Sequence, residues 1–105
     1  MFVILWEFDV KQECEEMFTS AYSRHGEWAR LFASDPKFRE TRLFRDMARD
    51  AAMPPRYLTM DVWENREGYE HFLHENREAY QELDAKCGGW TTRERHLQSF
   101  DADGR

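Results

Sequence analysis

Two segments of this chain alternate in the manner of pleated strands yet carry apolar side chains on both faces, which narrows the possible folds sharply. In Phe2–Val10, the residues Phe2, Ile4, Trp6, Phe8 and Val10 fall on one side, and Val3, Leu5, Glu7 and Asp9 on the other. In Arg56–Trp63, Leu58, Met60 and Val62 alternate with Tyr57, Thr59, Asp61 and Trp63. Successive side chains of a strand point to opposite faces, so a strand that is greasy on both must be covered on both. Both segments are therefore expected at the centre of a sheet.

Each of these strands runs into a helix. Asn65 is a good N-cap with Glu67 in the first turn. Behind it Tyr69, Phe72, Leu73, Tyr80 and Leu83 fall on one stripe of a helix expected from Arg66 to Cys87, which Gly88–Gly89 stops. After the first strand a helix is expected from about Lys11. Its stripe is Cys14, Met17, Phe18, Ala21, Tyr22 and His25; Gly26 interrupts it, and Trp28, Leu31 and Phe32 resume an apolar face. Asp35–Pro36 is a turn or a helix start. Two further segments, Phe38–Arg49 and Thr91–Phe100, are loaded with charge and suit edge strands, and Ala51–Pro55 connects without helix or central strand.

The order is thus βαββαβ, a ferredoxin-like α+β plan: a four-stranded antiparallel sheet with two helices on one face, in a single domain over 1–100, and a loose tail over 101–105. If Trp6 and Met60 face the helices, then Val3, Leu5, Tyr57 and Trp63 stand on the open face. Such a patch calls for a partner, and a second copy packed sheet against sheet about a two-fold axis supplies one. A homodimer is the expectation.

Composition removes several alternatives. The 105 residues suffice for one core. The net charge of -6, with acids and bases interleaved, lacks the basic footprint of a nucleic-acid binder. No apolar run approaches the roughly 20 residues of a membrane span. Phe2–Trp6 is too short for a signal peptide and Glu7 and Asp9 follow it at once. Cys14 and Cys87 show neither metal-type nor CxxC spacing. These features imply a reduced, cytoplasmic protein.

The run Asp61-Val62-Trp63-Glu64, a helix bearing Tyr69, Phe72 and Tyr80-Gln81-Glu82-Leu83-Asp84, and a last strand with Glu94 resemble the antibiotic biosynthesis monooxygenase family. The first half agrees, with an aromatic opening strand, a helix ending in Tyr22, and Trp28–Phe32 before Asp35–Pro36. The resemblance extends to Phe100. It implies a dimeric α+β barrel with a pocket in each subunit between sheet and helices. Some members oxidise polycyclic phenols with molecular oxygen and no cofactor; others degrade haem. Haem degradation is disfavoured, because Phe72 stands where that branch carries a Trp and the end of the helix offers Tyr80 and Glu82 rather than a ligating His.

The implied activity is a monooxygenase acting, without cofactor or metal, on a small aromatic or quinone-type molecule; the alternative is a binding or structural protein with no catalysis. Such an oxygenase needs an apolar cavity, a group to draw a proton from a phenol, and a polar group to hold the oxyanion. Asn76, on the stripe of Tyr69 and Tyr80, is a candidate hydrogen-bond donor, or else a core Asn satisfied by backbone. His25 is a candidate base, or a helix-terminal His meeting the last carbonyls. Trp6, Tyr22, Trp28, Tyr69, Phe72 and Tyr80 are candidate aromatic walls, though most such stripes are simply core. Asp61 is expected on the dimer side, paired with Arg93 or Arg95. His71 and His74, with Glu75 and Glu78, read as a solvated face rather than a metal site, and Cys14 as a small core residue.

Overall fold

The computed structural model describes residues 1–101. Four strands form one antiparallel sheet: β1 (Phe2–Val10), β2 (Phe38–Arg45), β3 (Arg56–Trp63) and β4 (Thr91–Asp101), in the order β2-β3-β1-β4. The doubly apolar strands are central and the charged ones are edges, as their side chains require. A 3-10 turn at Gln12–Cys14 leads into α1 (Glu15–Tyr22) and α2 (Glu27–Phe32); α3 (Arg66–Glu75) and α4 (Arg77–Gly88) follow β3. This is the ferredoxin-like plan with each helical crossover broken in two.

The first break falls at Gly26, and its backbone geometry demands that residue. A Cβ there would overlap the carbonyl oxygens of Ser20 and Ala21, which close the last turn of α1. The second break falls at Asn76, where one continuous helix was expected. The backbone leaves helical values there, at φ -121 and ψ 27, and both Asn76 N–H and Asn76 Nδ2 donate to the Phe72 carbonyl at 3.0 Å. A side chain that competes for a backbone acceptor gives a helix an alternative to continuing. Asn65 caps α3 as read from sequence, its side chain accepting from Gly68 N–H at 2.7 Å.

β2 ends at Arg45, four residues short of its expected end. Asp101 is not a tail residue: it closes β4 opposite Phe2. Positions 102–105 of the expected tail lie outside the described residues.

The core between helices and sheet is largely aromatic. Phe18 stacks on Tyr22 with ring centroids 4.1 Å apart, and Trp63 is ringed by Phe32, Phe38, Tyr69 and Phe72 at 5.1 to 5.6 Å. Rings at such separations and tilts each add a fraction of a kcal/mol to about 1.5 kcal/mol beyond the area they bury. One orientation differs from the sequence reading. Phe2, Ile4, Trp6 and Phe8 pair with Trp63, Asp61, Thr59 and Tyr57, so this set of β3, and not Met60, faces the helices. Tyr57, Thr59, Asp61 and Trp63 are accordingly all buried. The open face instead carries Val3, Leu5, Leu58, Met60 and Val62, with Phe44 and Phe100 towards its edges. Charged pairs border it: Arg56 grips Asp9 through two hydrogen bonds of 2.7 and 3.1 Å, and Arg95 meets Glu7 at 3.1 Å. Asp61 therefore does not reach Arg93 or Arg95.

Candidate active site

The inward face of the sheet and the underside of the helices do not close completely over each other. A recess remains, with Trp6 and Phe8 of β1, Thr41 of β2, and Thr59 and Asp61 of β3 as its floor. Tyr22 of α1, Trp28 and Phe32 of α2, Tyr80 and Asp84 of α4 and Glu94 of β4 form its walls and rim. Strand register explains the floor: Thr41 and Ile4 flank Asp61 on neighbouring strands, and Trp6 sits beside Thr59. The recess holds about 40 Å³, room for two or three waters.

Asp61 dominates the chemistry of this space. It is 8% exposed and accepts one side-chain hydrogen bond, from Thr41 Oγ1 at 2.5 Å. Its second oxygen has no donor among the described residues, and no cation neutralises it. Burial pushes its carboxyl up from 3.8 to about 6, and the Thr41 hydroxyl offsets only part of that. Buried carboxylates are normally paired or hydrogen-bonded on both oxygens, so one left open beside a cavity is a functional candidate on physical grounds.

The surrounding groups are set against ionisation. Burial raises Tyr80 well above the usual phenol range, helped by Tyr69, Asp84, Asp61 and Glu94; burial raises Tyr22 likewise, helped by Cys87 and Glu94. Both hydroxyls therefore stay protonated at neutral pH. Glu94 is exposed along its length, yet its carboxyl is raised by burial against the recess and by Asp84 beside it. The indole N–H of Trp28, a wall residue only 6% exposed, finds no acceptor in hydrogen-bonding geometry, although it lies near enough to influence Tyr22 and Cys87.

Of the residues singled out in the sequence, Trp6, Tyr22, Trp28 and Tyr80 line the recess. Phe72 is fully buried behind it, against Phe32 and Trp63. Tyr69 packs on Phe2 and Trp63 outside the lining. Asn76 sits at the break between α3 and α4, engaged with Phe72 O. His25 is exposed in the turn between α1 and α2, in a separate groove of about 630 Å³ with Arg24, Arg30, Asp35, Arg39 and Glu40. The fold does not bring His25 and Asn76 together. His71 is largely solvent-exposed and meets Asp35 at 3.2 Å; no three His, Cys, Asp or Glu among the described residues converge closely enough to hold a metal ion.

Sequence reasoning did not assign Thr41, Thr59, Asp84 or Glu94 to the site, although Asp84 and Glu94 stand among the residues of the family resemblance, and it placed Asp61 on the wrong face. One signal was there to be read. Tyr57 and Trp63 bracket the Asp61 side of β3, and bulky aromatics at both ends mark the set that meets a deep core.

The fold and its recess define a class: ferredoxin-like α+β proteins with a cavity between sheet and helices. The chain shares this fold with the antibiotic biosynthesis monooxygenases. It is similar to SnoaB, a cofactor-independent oxygenase from Streptomyces nogalater, at a TM-score of 0.69 and 19% identity over 99% of this chain and 94% of that one. A structure described as an antibiotic biosynthesis monooxygenase matches at a TM-score of 0.63 and 14% identity, covering 98% and 99% of the two chains. An anthrone oxidase-like protein matches at 0.69 and 11% identity, with 94% of this chain spanning 45% of that longer one. No protein-family model and no curated protein matches the sequence. At these identities the likeness is one of fold.

Proposed function

We propose that the chain is a cofactor-independent monooxygenase that oxidises a small phenol or hydroquinone in the recess, with Asp61 as the general base. The observation that carries this reading is the open oxygen of Asp61: a buried carboxyl near neutrality, without a cation, at the floor of an aromatic cavity. Support of a coarser kind comes from solved relatives of the same fold that are named as oxygenases.

The chemistry follows from what these groups can do. Asp61, ionised above pH 6, accepts the proton of a substrate hydroxyl or of an acidic ring C–H; the pair keeps its net charge, so the transfer adds no charge to the dry site. The electron-rich substrate anion passes one electron to oxygen, the resulting radical and superoxide combine to form a C–O bond, and the peroxide anion takes back the proton held by Asp61 to become a hydroperoxide. Loss of water from the hydroperoxide breaks the O–O bond and leaves a carbonyl. One oxygen atom ends in the product and the other in water, and the substrate supplies all four electrons. Tyr22, Tyr80 and the unpartnered Trp28 N–H are donors on hand for the developing oxyanion.

The same reading includes a homodimer. The open face of the sheet has an apolar centre of Val3, Leu5, Leu58, Met60 and Val62 bordered by neutralised charges, the anatomy of a protein interface. Cys14 and Cys87 remain free thiols, which suits a reducing compartment such as the cytoplasm.

Oxygen uptake with a panel of hydroquinones and anthrone-type phenols tests the activity. Metal-stripped wild type should consume oxygen and form quinone, and Asp61→Asn should lose about a hundredfold or more in rate while folding normally. Equal rates in the two proteins would remove Asp61 from the chemistry. Binding of these phenols without oxygen uptake would leave the protein a binder.

A further inference from the structure

Asp61 owes its hydrogen-bond partner to an irregularity in β2. Phe38 stands opposite Trp63, and regular antiparallel pairing from there would set Glu40 opposite Asp61. A bulge between Phe38 and Glu40 adds one residue, so that Glu40 pairs with Val62 and Thr41 with Asp61. Phe38 and Thr41 therefore both face the helices, although an odd number of residues separates them. Phe38 packs on Phe32 and Trp63, and Thr41 lines the recess. A second carboxylate beside the buried one would repel it. The bulge supplies a hydroxyl instead and leaves Glu40 to Arg42, at 3.1 Å. Bulges recur beside active sites, where they re-aim a side chain.

Thr41 is buried, and its hydroxyl donates to Oδ1 of Asp61. No other acceptor among the described residues takes that hydrogen. A proton on Oδ1 would turn the bond round and strand the Thr41 hydrogen away from water, at the cost of an unmade hydrogen bond. Oδ2 carries no such constraint. We propose that Thr41 is a positioning residue for the base: by giving its hydrogen to Oδ1 it makes Oδ2 the one seat for the proton that Asp61 takes from the substrate and returns to the peroxide. The inference rests on the proposed function in taking Asp61 as that base. The other titratable groups around the carboxyl are the phenols of Tyr69 on α3 and Tyr80 on α4, with Tyr22, Asp84 and Glu94 elsewhere on the recess. No Lys, Arg or His lines the recess to share the work of Thr41.

The carbon-13 resonance of the Asp61 carboxyl, titrated without substrate in wild type, Thr41→Val and Thr41→Ser, separates this role from a structural one. Val keeps the shape and strand preference of Thr but lacks the donor. Its carboxyl should titrate about one pH unit or more above that of wild type, because the lost bond favoured the charged form. Thr41→Ser should titrate with wild type. In oxygen uptake with hydroquinones, the half-maximal pH of Thr41→Val should rise by the same amount. Its limiting rate above that pH should fall about tenfold at unchanged KM, and Thr41→Ser should recover both. An unshifted carboxyl in Thr41→Val, a limiting rate equal to wild type, or a Thr41→Ser variant as impaired as Thr41→Val overturns the proposal. A wild type that consumes no oxygen removes the oxygenase, and the carboxyl titration alone then decides whether Thr41 governs the proton on Asp61.

Discussion

Asp61 costs the fold stability for as long as it is ionised. Its pKa of about 6 in the folded chain lies above the ordinary 3.8 because burial penalises the charged form. The sign follows from that direction: the folded state holds the proton more tightly, so the favourable contribution is complete below about pH 4 and is lost as pH rises through about 6. Asp61→Asn keeps an acceptor for Thr41 and removes the charge. Above pH 6 the variant should be more stable than wild type by about 3 kcal/mol, the equivalent of that displacement. Urea unfolding should show the gap closing between pH 6 and pH 4. A gap that is constant with pH, or of the opposite sign, would mean that the carboxyl is compensated by something other than Thr41. Sites that store this kind of strain are where stability is exchanged for function. In the sequence, Asp61 stood out as an acid in a central strand, but its role depended on which way β3 faces.

That orientation is a property of the element, and it marks where sequence reading ran out. Alternation identifies β3 and its two faces but is symmetric between them when both are apolar. Leu58, Met60 and Val62 would have filled a core as readily as Tyr57, Thr59 and Trp63; the pairing of Ile4 with Asp61 and Phe2 with Trp63 decides it. The strand order was legible because charge on β2 and β4 breaks a similar symmetry between centre and edge. Helix boundaries were legible where a cap has a single purpose, as at Asn65, and illegible at Asn76, whose side chain ends one helix by binding Phe72 O. The walls contributed by Trp6, Tyr22, Trp28 and Tyr80 could be read from stripes. The rim residues Asp84 and Glu94 could not, since each looks like an ordinary solvated acid until the mouth of the recess passes between them.

At the scale of the molecule, the two faces of the sheet have different fates. One is sealed by helices, apart from the recess; the other leaves Val3, Leu5, Leu58 and Met60 half-buried and Phe44 and Phe100 exposed. A lone domain with this face bare is not the expected solution state. Sedimentation should report a dimer, and Met60→Lys, which sets an unpaired charge at the centre of the face, should raise its dissociation constant by about a hundredfold. A monomeric wild type, or a variant that dimerises as well, would leave that face without the proposed role. The molecule also offers two concavities of quite different character, the aromatic, acidic recess and the groove at His25 lined by three arginines. A crystal structure of the protein soaked with a hydroquinone chooses between them. The account predicts the ring in the recess with a hydroxyl oxygen about 2.6–3.2 Å from the open oxygen of Asp61. A ligand seated in the His25 groove, with Asp61 untouched, would contradict it.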